Sequence, residues 1–367
     1  MQCNHPSAFR KFALLGLAFS LAVVSPSTAF AQWTSCTGTA GLNMQSLGSR
    51  GNFAFAGGAT GVYRSSNGAV SFAASNAGND ATGPTRGFAT DLNYIYTCAS
   101  QGVFRSADNG ATWISKSSGL GSLLGHGIHH SIGKLFHVGP AGVYRSDNQG
   151  DSWVAAGLAG IDVRCITSID SVLFVGTNSS GIYRSMNSGA TWTAVNTGLT
   201  STTFRAIESM GSVLFAGGQI GTGVFRSNDL GANWTLLRGG LPSGSYRGFA
   251  TDGRVIFAGS FTAGVFYSVD HGPRWTALNT GLTDLAIFDL AIHQGTLMAA
   301  TNTQGAFRFA MSNLIDLDGD HCIGAPDLSI LLGAWGACTN CSADYNGDGD
   351  VGAADLAILL SYWGACG

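Results

Sequence analysis

A twelve-residue unit that returns about every forty residues constrains this chain more than anything else in it. Its fullest form is Gly-Ile-Tyr-Arg-Ser-Met-Asn-Ser-Gly-Ala-Thr-Trp, at 181–192. It recurs at 61–72, 102–113, 142–153, 223–234 and 264–275, and a truncated copy stands at 305–309. Seven copies at this period predict a repeat architecture, in which each unit buries its apolar face on its neighbours.

The unit has the chemistry of a hairpin. Val-Tyr-Arg-Ser alternates apolar and polar side chains, as a half-buried strand does. The Asp or Asn two residues after the Ser (Asn67, Asp108, Asn148, Asn187, Asp229, Asp270) can bond back to backbone amides in an Asx-type turn. A Gly two residues later (Gly110, Gly150, Gly189, Gly231, Gly272) suits a positive φ. A Trp then starts the returning strand. The first copy departs from the pattern, with Ala69 and Phe72 at the Gly and Trp positions.

Each period holds two further strand-like runs before the unit, as in Val163-Arg-Cys-Ile-Thr-Ser and Val172-Leu-Phe-Val-Gly. Four strands per period make a propeller blade. The seventh copy stops at Phe309, one strand short, and Trp33-Thr-Ser-Cys36 resembles the missing strand. The expected fold is therefore all-β, a seven-bladed β-propeller over 32–311 closed by the mature N-terminus.

The pattern Ser-x-Asp-x-Gly-x-x-Trp resembles the Asp-box (BNR) repeat of sialidases, xyloglucan hydrolases, sortilin-type receptors and photosystem II assembly factors. In those families the box is a structural turn away from the active face, so the resemblance implies the fold and assigns no catalytic role to the box residues.

Residues 1–31 read as a secretory signal peptide, with Arg10 and Lys11, an apolar run over 12–24 and Ala29-Phe30-Ala31 before the cleavage point. No later stretch is long and apolar enough to span a membrane. The expected location is extracellular or at the cell surface. Charge then divides the mature chain. Residues 312–367 carry eight Asp and no Lys or Arg, whereas 32–311 carry 16 basic and 13 acidic residues. Neither balance points to nucleic-acid binding.

Within the propeller the Arg of Tyr/Phe-Arg-Ser (Arg64, Arg105, Arg145, Arg184, Arg226, Arg308) recurs in nearly every repeat, which favours a structural role. A second set stands on the first strands: Arg86, His126, Arg164, Arg205 and Arg247. First strands line the channel of a propeller. The set therefore reads either as salt-bridged or solvated side chains or as a basic ring that binds a glycan or other anionic ligand. Signs of catalysis are few. Glu208 is the only Glu, and sialidases, by resemblance, need a Tyr–Glu pair. Asp91, Asp170, Asp252 and Asp289 lie near first strands, with nothing to single out an acid/base pair. His129-His130 has no partners at metal spacing and reads as a polar loop.

Residues 312–367 repeat with a period of 28 residues. Asp316-Leu-Asp-Gly-Asp-His-Cys-Ile-Gly-Ala-Pro-Asp matches Asp344-Tyr-Asn-Gly-Asp-Gly-Asp-Val-Gly-Ala-Ala-Asp. Oxygen side chains at loop positions 1, 3, 5 and 12 suit Ca²⁺, with position 7 giving its backbone carbonyl. A helix should follow each loop, burying Leu328, Leu331, Leu332 and Trp335 in the first and Leu356, Leu359, Leu360 and Trp363 in the second. This resembles a type I dockerin, a small EF-hand-like α-helical module. The resemblance implies two calcium ions, on Asp316, Asp318, Asp320, Cys322 and Asp327 and on Asp344, Asn346, Asp348, Asp350 and Asp355. It also implies a cohesin-like or cell-surface protein partner. Two departures stand out: His321 replaces a loop Gly, at a cost to the first calcium loop, and Ala325-Pro326 and Ala353-Ala354 stand where hydroxyl residues are usual, which counts against cohesin recognition.

Cys322, Cys338, Cys341 and Cys366 cluster in this small module, where two disulfides are expected and a Cys₄ zinc site is the rival. Cys36, Cys98 and Cys165 fall on separate blades and are expected to be buried thiols. Two functions fit the whole: an exported, non-catalytic binding or scaffold propeller held in place through its C-terminal module, or a glycoside hydrolase acting in polysaccharide breakdown.

Overall fold

The computed structural model describes residues 32–78, 83–219, 221–269, 271–318, 322–338, 341–345 and 349–364. The expected leader 1–31 lies outside these, as do Asp270, Asp320, His321, Asn346, Asp348 and Cys366.

Seven four-stranded antiparallel sheets cover 44–74, 85–115, 127–155, 163–194, 204–237, 246–277 and 287–310, numbered here as blades 1 to 7. The first strand of each blade packs beside the first strand of the next, and that of blade 7 returns to blade 1. The result is a closed seven-bladed β-propeller. Second strands such as Ile95–Ala99 and Val172–Thr177 are buried at every residue, because a neighbouring blade covers each face. That is why they read as unbroken apolar runs.

Blade 7 takes its fourth strand from the start of the described chain. Thr34 pairs with Arg308 and Ser35 with Phe307. The Trp33 ring lies 5.5 Å from that of Phe309, and its indole Nε1 donates to the Leu278 carbonyl of blade 6 at 2.8 Å. Trp113, Trp153, Trp192 and Trp234 each donate in the same way to a carbonyl of the preceding blade. Trp33 thus repeats an inter-blade contact used around the ring.

The box itself closes on local hydrogen bonds. In blade 2, Asp108 Oδ1 accepts from the Ser106 hydroxyl at 2.7 Å and from the Thr112 amide at 2.8 Å. The Gly110 amide donates to Ser106 Oγ, with Gly110 at φ +78°. Asn109, just before it, is also left-handed at φ +56°, and its carbonyl accepts from Arg64 Nη1 of blade 1 at 3.1 Å. Arg105, Arg145 and Arg184 reach the matching carbonyls of Gln149, Ser188 and Leu230. These repeated arginines are struts between blades, as the sequence implied.

After blade 7 come a 3₁₀ turn at Met311–Leu314 and two short helices, α1 (Ala325–Gly333) and α2 (Ala353–Ser361). Met311, Ile315, Leu331, Val351 and Leu359 share one continuous core with Leu297 and Phe309 of blade 7 and Phe257 of blade 6. The Tyr362 hydroxyl donates to Asp252 Oδ2 at 3.1 Å, and the Arg254 guanidinium sits over the Tyr362 ring.

Three expectations are corrected here. Leu332, Trp335, Leu360 and Trp363 are about half exposed rather than core. The helices end at Gly333 and Ser361, so neither Trp continues its stripe, and only Leu331 and Leu359 are fully buried. Secondly, Cys322 is disulfide-bonded, but Cys338 and Cys341 are free thiols hydrogen-bonded to each other. The partner of Cys322 therefore lies outside the described residues. Thirdly, His129 and His130 belong to the first strand of blade 3, Gly127–Ser131, not to a loop. Cys36 and Cys98 are buried thiols as expected, while Cys165 is half-buried; burial pushes all three up to about 12.

Candidate functional site

The first strands carry a regular defect. In blades 1, 2, 4, 5, 6 and 7 the register to the second strand jumps by one residue near the start. The skipped residues are Gln45, Arg86, Arg164, Arg205, Arg247 and Phe288. In blade 3, His126 and Gly127 both face Val138, so His126 holds the same position. A bulge leaves one residue unpaired and re-aims its side chain. All seven of these residues line a channel cavity of about 510 Å³. The structure therefore gathers Arg86, His126, Arg164, Arg205 and Arg247 into one ring, completed by Gln45 and Phe288.

The two sides of the ring differ. On one, Arg86 Nη1 donates to His126 Nδ1 at 3.2 Å, and His126 Nε2 lies 3.2 Å from Asp162 Oδ1. Because Arg86 can only donate, Nδ1 accepts and the ring proton sits on Nε2. Asp162 Oδ2 also accepts from Arg164 Nη2 at 2.5 Å. Burial, with Arg164 close by, holds His126 down to about 4. It is a neutral link at pH 7, not the cation that its place in a basic ring suggested.

On the other side, Arg205 and Arg247 have no hydrogen bond or ion pair among the described residues, and their Nε atoms are buried without partners. The Arg247 guanidinium lies 3.5 Å over the Phe261 ring and 5.2 Å from that of Phe288. Burial and then Arg205 lower Arg247 to about 10; burial and then Arg164 lower Arg205. Arg247 stays charged at pH 7. A guanidinium held on an aromatic face, with its donors free, is built to meet an anion.

Beyond the ring the wall becomes small. Gly87, Gly127, Cys165, Ala206 and Gly248 follow bulge residues and also line the cavity, as does Asp289 after Phe288. At Gly248 a Cβ would come within 2.7 Å of the Asp289 Cα, so only glycine lets blades 6 and 7 approach this closely. Two carboxylates, Glu208 and Asp289, line the same cavity. Asp289 accepts from the Leu47 amide at 2.8 Å and from the Leu290 amide at 2.9 Å, and Glu208 from the Ser209 amide at 2.9 Å. Burial pushes each up to about 7, against those amides, and Glu208 adds to the rise at Asp289. The other three aspartates singled out in the sequence are elsewhere: Asp91 caps a turn, Asp252 caps a turn and meets Tyr362, and Asp170 sits in a turn at φ +50°. His129 also lines the channel, with Nε2 3.0 Å from Ser168 Oγ.

The C-terminal segment holds a second grouping. Carboxylate oxygens of Asp316, Asp318 and Asp327 lie within 4.8 Å of one another. An all-oxygen set of this kind fits a hard cation such as Ca²⁺. Asp327 is fully buried and accepts from the Leu317 and Gly324 amides, both at 2.7 Å. Asp355 repeats this with Tyr345 and Gly352, and Asp344 accepts from Gly349. Asp350 opens the short strand Asp350–Val351. The expected ligands Asp320, Asn346 and Asp348 lie outside the described residues.

No family model and no curated protein matches this chain. Solved structures do resemble it. The GH74 enzyme of Niastella koreensis matches 77% of this chain with a TM-score of 0.58 at 18% identity. The extracellular domain of a one-component system from B. thetaiotaomicron matches 76% with a TM-score of 0.62 at 12% identity. The chain spans only 44% and 40% of those two proteins. YCF48 from Cyanidioschyzon merolae matches 76% of this chain and 98% of its own, with a TM-score of 0.60 at 13% identity. At these identities the likeness is one of fold, and the fold is that of a seven-bladed β-propeller.

Proposed function

We propose that this chain is an exported, non-catalytic binding propeller that takes an acidic glycan or a similar anionic ligand in its channel. The observation that carries the reading is the set of bulges that turn Arg86, Arg164, Arg205 and Arg247 into one cavity, with Arg205 and Arg247 left without acidic partners among the described residues. The struts use their arginines on carbonyls; these two line the cavity without an acceptor among the described residues. The size also suits a small ligand or the end of a chain, since such sites run from about 300 to 1,000 Å³.

The C-terminal segment is, on this reading, a dockerin-like module that binds two calcium ions and attaches the propeller to a surface or a protein partner. The converging Asp316, Asp318 and Asp327 support it, as does the second loop's matching Asp355 clamp. Export rests on the leader-like 1–31.

A second reading, a glycoside hydrolase, draws on the raised carboxyls of Glu208 and Asp289 and on the GH74 neighbour. Incubating the protein with a panel of acidic and neutral polysaccharides separates the two. Binding of acidic members without release of reducing ends supports the binding propeller. Release of reducing ends that is lost in Glu208→Gln or Asp289→Asn would replace it with the hydrolase.

A further inference from the structure

The funnel carries more than its basic ring. Glu208 and Asp289 face the same cavity, yet each accepts hydrogen bonds only from backbone amides, and neither has an ion pair with Lys, Arg or His among the described residues. A carboxylate taken out of water is normally paired with a cation. Here the nearest cations of the cavity wall belong to the bulge ring. On the blade 5 strand Arg205 and Glu208 are three residues apart, or roughly 10 Å along the strand. One residue past the ring the wall is Gly87, Gly127, Cys165, Ala206 and Gly248, with Asp289 at that same position on blade 7 and Glu208 two residues further along its strand.

We propose that the two carboxylates form a cation subsite, so that the funnel selects a small zwitterion: its anionic group on Arg205 and Arg247, and its ammonium on Glu208 and Asp289. This rests on the reading of the ring as an anion site and names the ligand class that it takes. An ammonium would supply the ion pair that neither carboxyl has among the described residues, and would let both ionise, which burial now opposes. A purely anionic ligand gains only the ring. The same chemistry is offered by a sulfated amino sugar and by a phosphorylated amino acid.

Calorimetry on the full chain at pH 7 tests this with two matched pairs: glucosamine 6-sulfate against N-acetylglucosamine 6-sulfate, and phosphoserine against N-acetylphosphoserine. The expected result is at least about tenfold tighter binding of the free amine in one pair, which identifies the source as sugar or amino acid. In the Glu208→Gln/Asp289→Asn variant, shown to be folded by its melting curve, the amine and its acetylated counterpart should bind alike. Equal binding of amine and acetyl forms by the wild type would overturn the subsite while leaving the anion site standing. A preference for the amine that survives the double substitution would also overturn it. If no anionic probe binds, the ring reading itself fails, and the subsite with it.

Discussion

Replacing Trp33 with alanine probes the closure of the ring. Trp33 is 2% exposed, stacks near Phe309 and donates to the Leu278 carbonyl across the last blade boundary. Truncating a buried aromatic of this size costs about 3–5 kcal/mol, including the cavity and the orphaned carbonyl. For a domain of this size each kcal/mol lowers the melting temperature by roughly 2–4 °C, so a fall of about 10 °C is expected. Trp153→Ala is the control. It removes a tryptophan that is 3% exposed and donates to Lys116 of the preceding blade in the same way, and it should cost a similar amount. Deleting 32–36 should cost more, since it also removes the pairing of Thr34 and Ser35 and bares the edge of Ala306–Ala310, inviting aggregation. Differential scanning calorimetry reads all three. A loss below about 1 kcal/mol for Trp33→Ala beside a full loss for Trp153→Ala would refute closure by the N-terminal strand.

Other consequences can be checked alongside. Glu208 and Asp289 are held near 7 in the folded chain against ordinary values of 4.5 and 3.8, so the unfolded chain ionises them first as pH rises. Their contribution to stability is complete below about pH 4 and is lost by pH 7. Glu208→Gln should flatten that part of the pH–stability curve by about 1–3 kcal/mol, read by urea titration; an unchanged slope counts against a buried Glu208. Asp108 shows the opposite sign. Against a burial effect that raises it, hydrogen bonds from Thr112 and Ser106 bring it to about 2, so its stabilisation falls away as pH drops below 3.8; because the side chain is exposed and screened by solvent, Asp108→Ala should cost only about 0.5–1 kcal/mol at pH 7. Excess chelator should reduce the helical circular dichroism of the full chain, and Asp327→Ala should do so without chelator; no change in either would remove calcium from the account.

The ring of blades was legible because its signals are local and repeated: a turn of fixed chemistry, a Trp, and two apolar runs in each period. The fourth strand at Trp33 could be read because it copies those of the other blades. The positions of Arg86, Arg164, Arg205 and Arg247 were also legible, but their partnering was not. Asp162 neutralises one side of the ring from the residue just before a strand, and no spacing rule marks it. Glu208 and Asp289 stand at different positions on strands from different blades, so their sharing of one cavity is a product of closure. In the C-terminal segment the loop spacing showed the Asp set. The exposure of Trp335 and Trp363 depended on where nine-residue helices stop, which periodicity fixes poorly. His129 and His130 were misread because a polar pair inside a channel-lining strand looks like a loop.

The central claim is that the funnel binds anions through Arg205 and Arg247, which have no acidic partner among the described residues. Calorimetric titration of a sulfated disaccharide into wild type and Arg205→Ala/Arg247→Ala, at low and at physiological salt, tests it most directly. Wild-type binding should be measurable and should weaken as salt rises. The variant should lose about tenfold to a hundredfold per arginine, with the melting temperature kept within a few degrees. Binding that ignores salt, or that survives removal of both arginines, would contradict it.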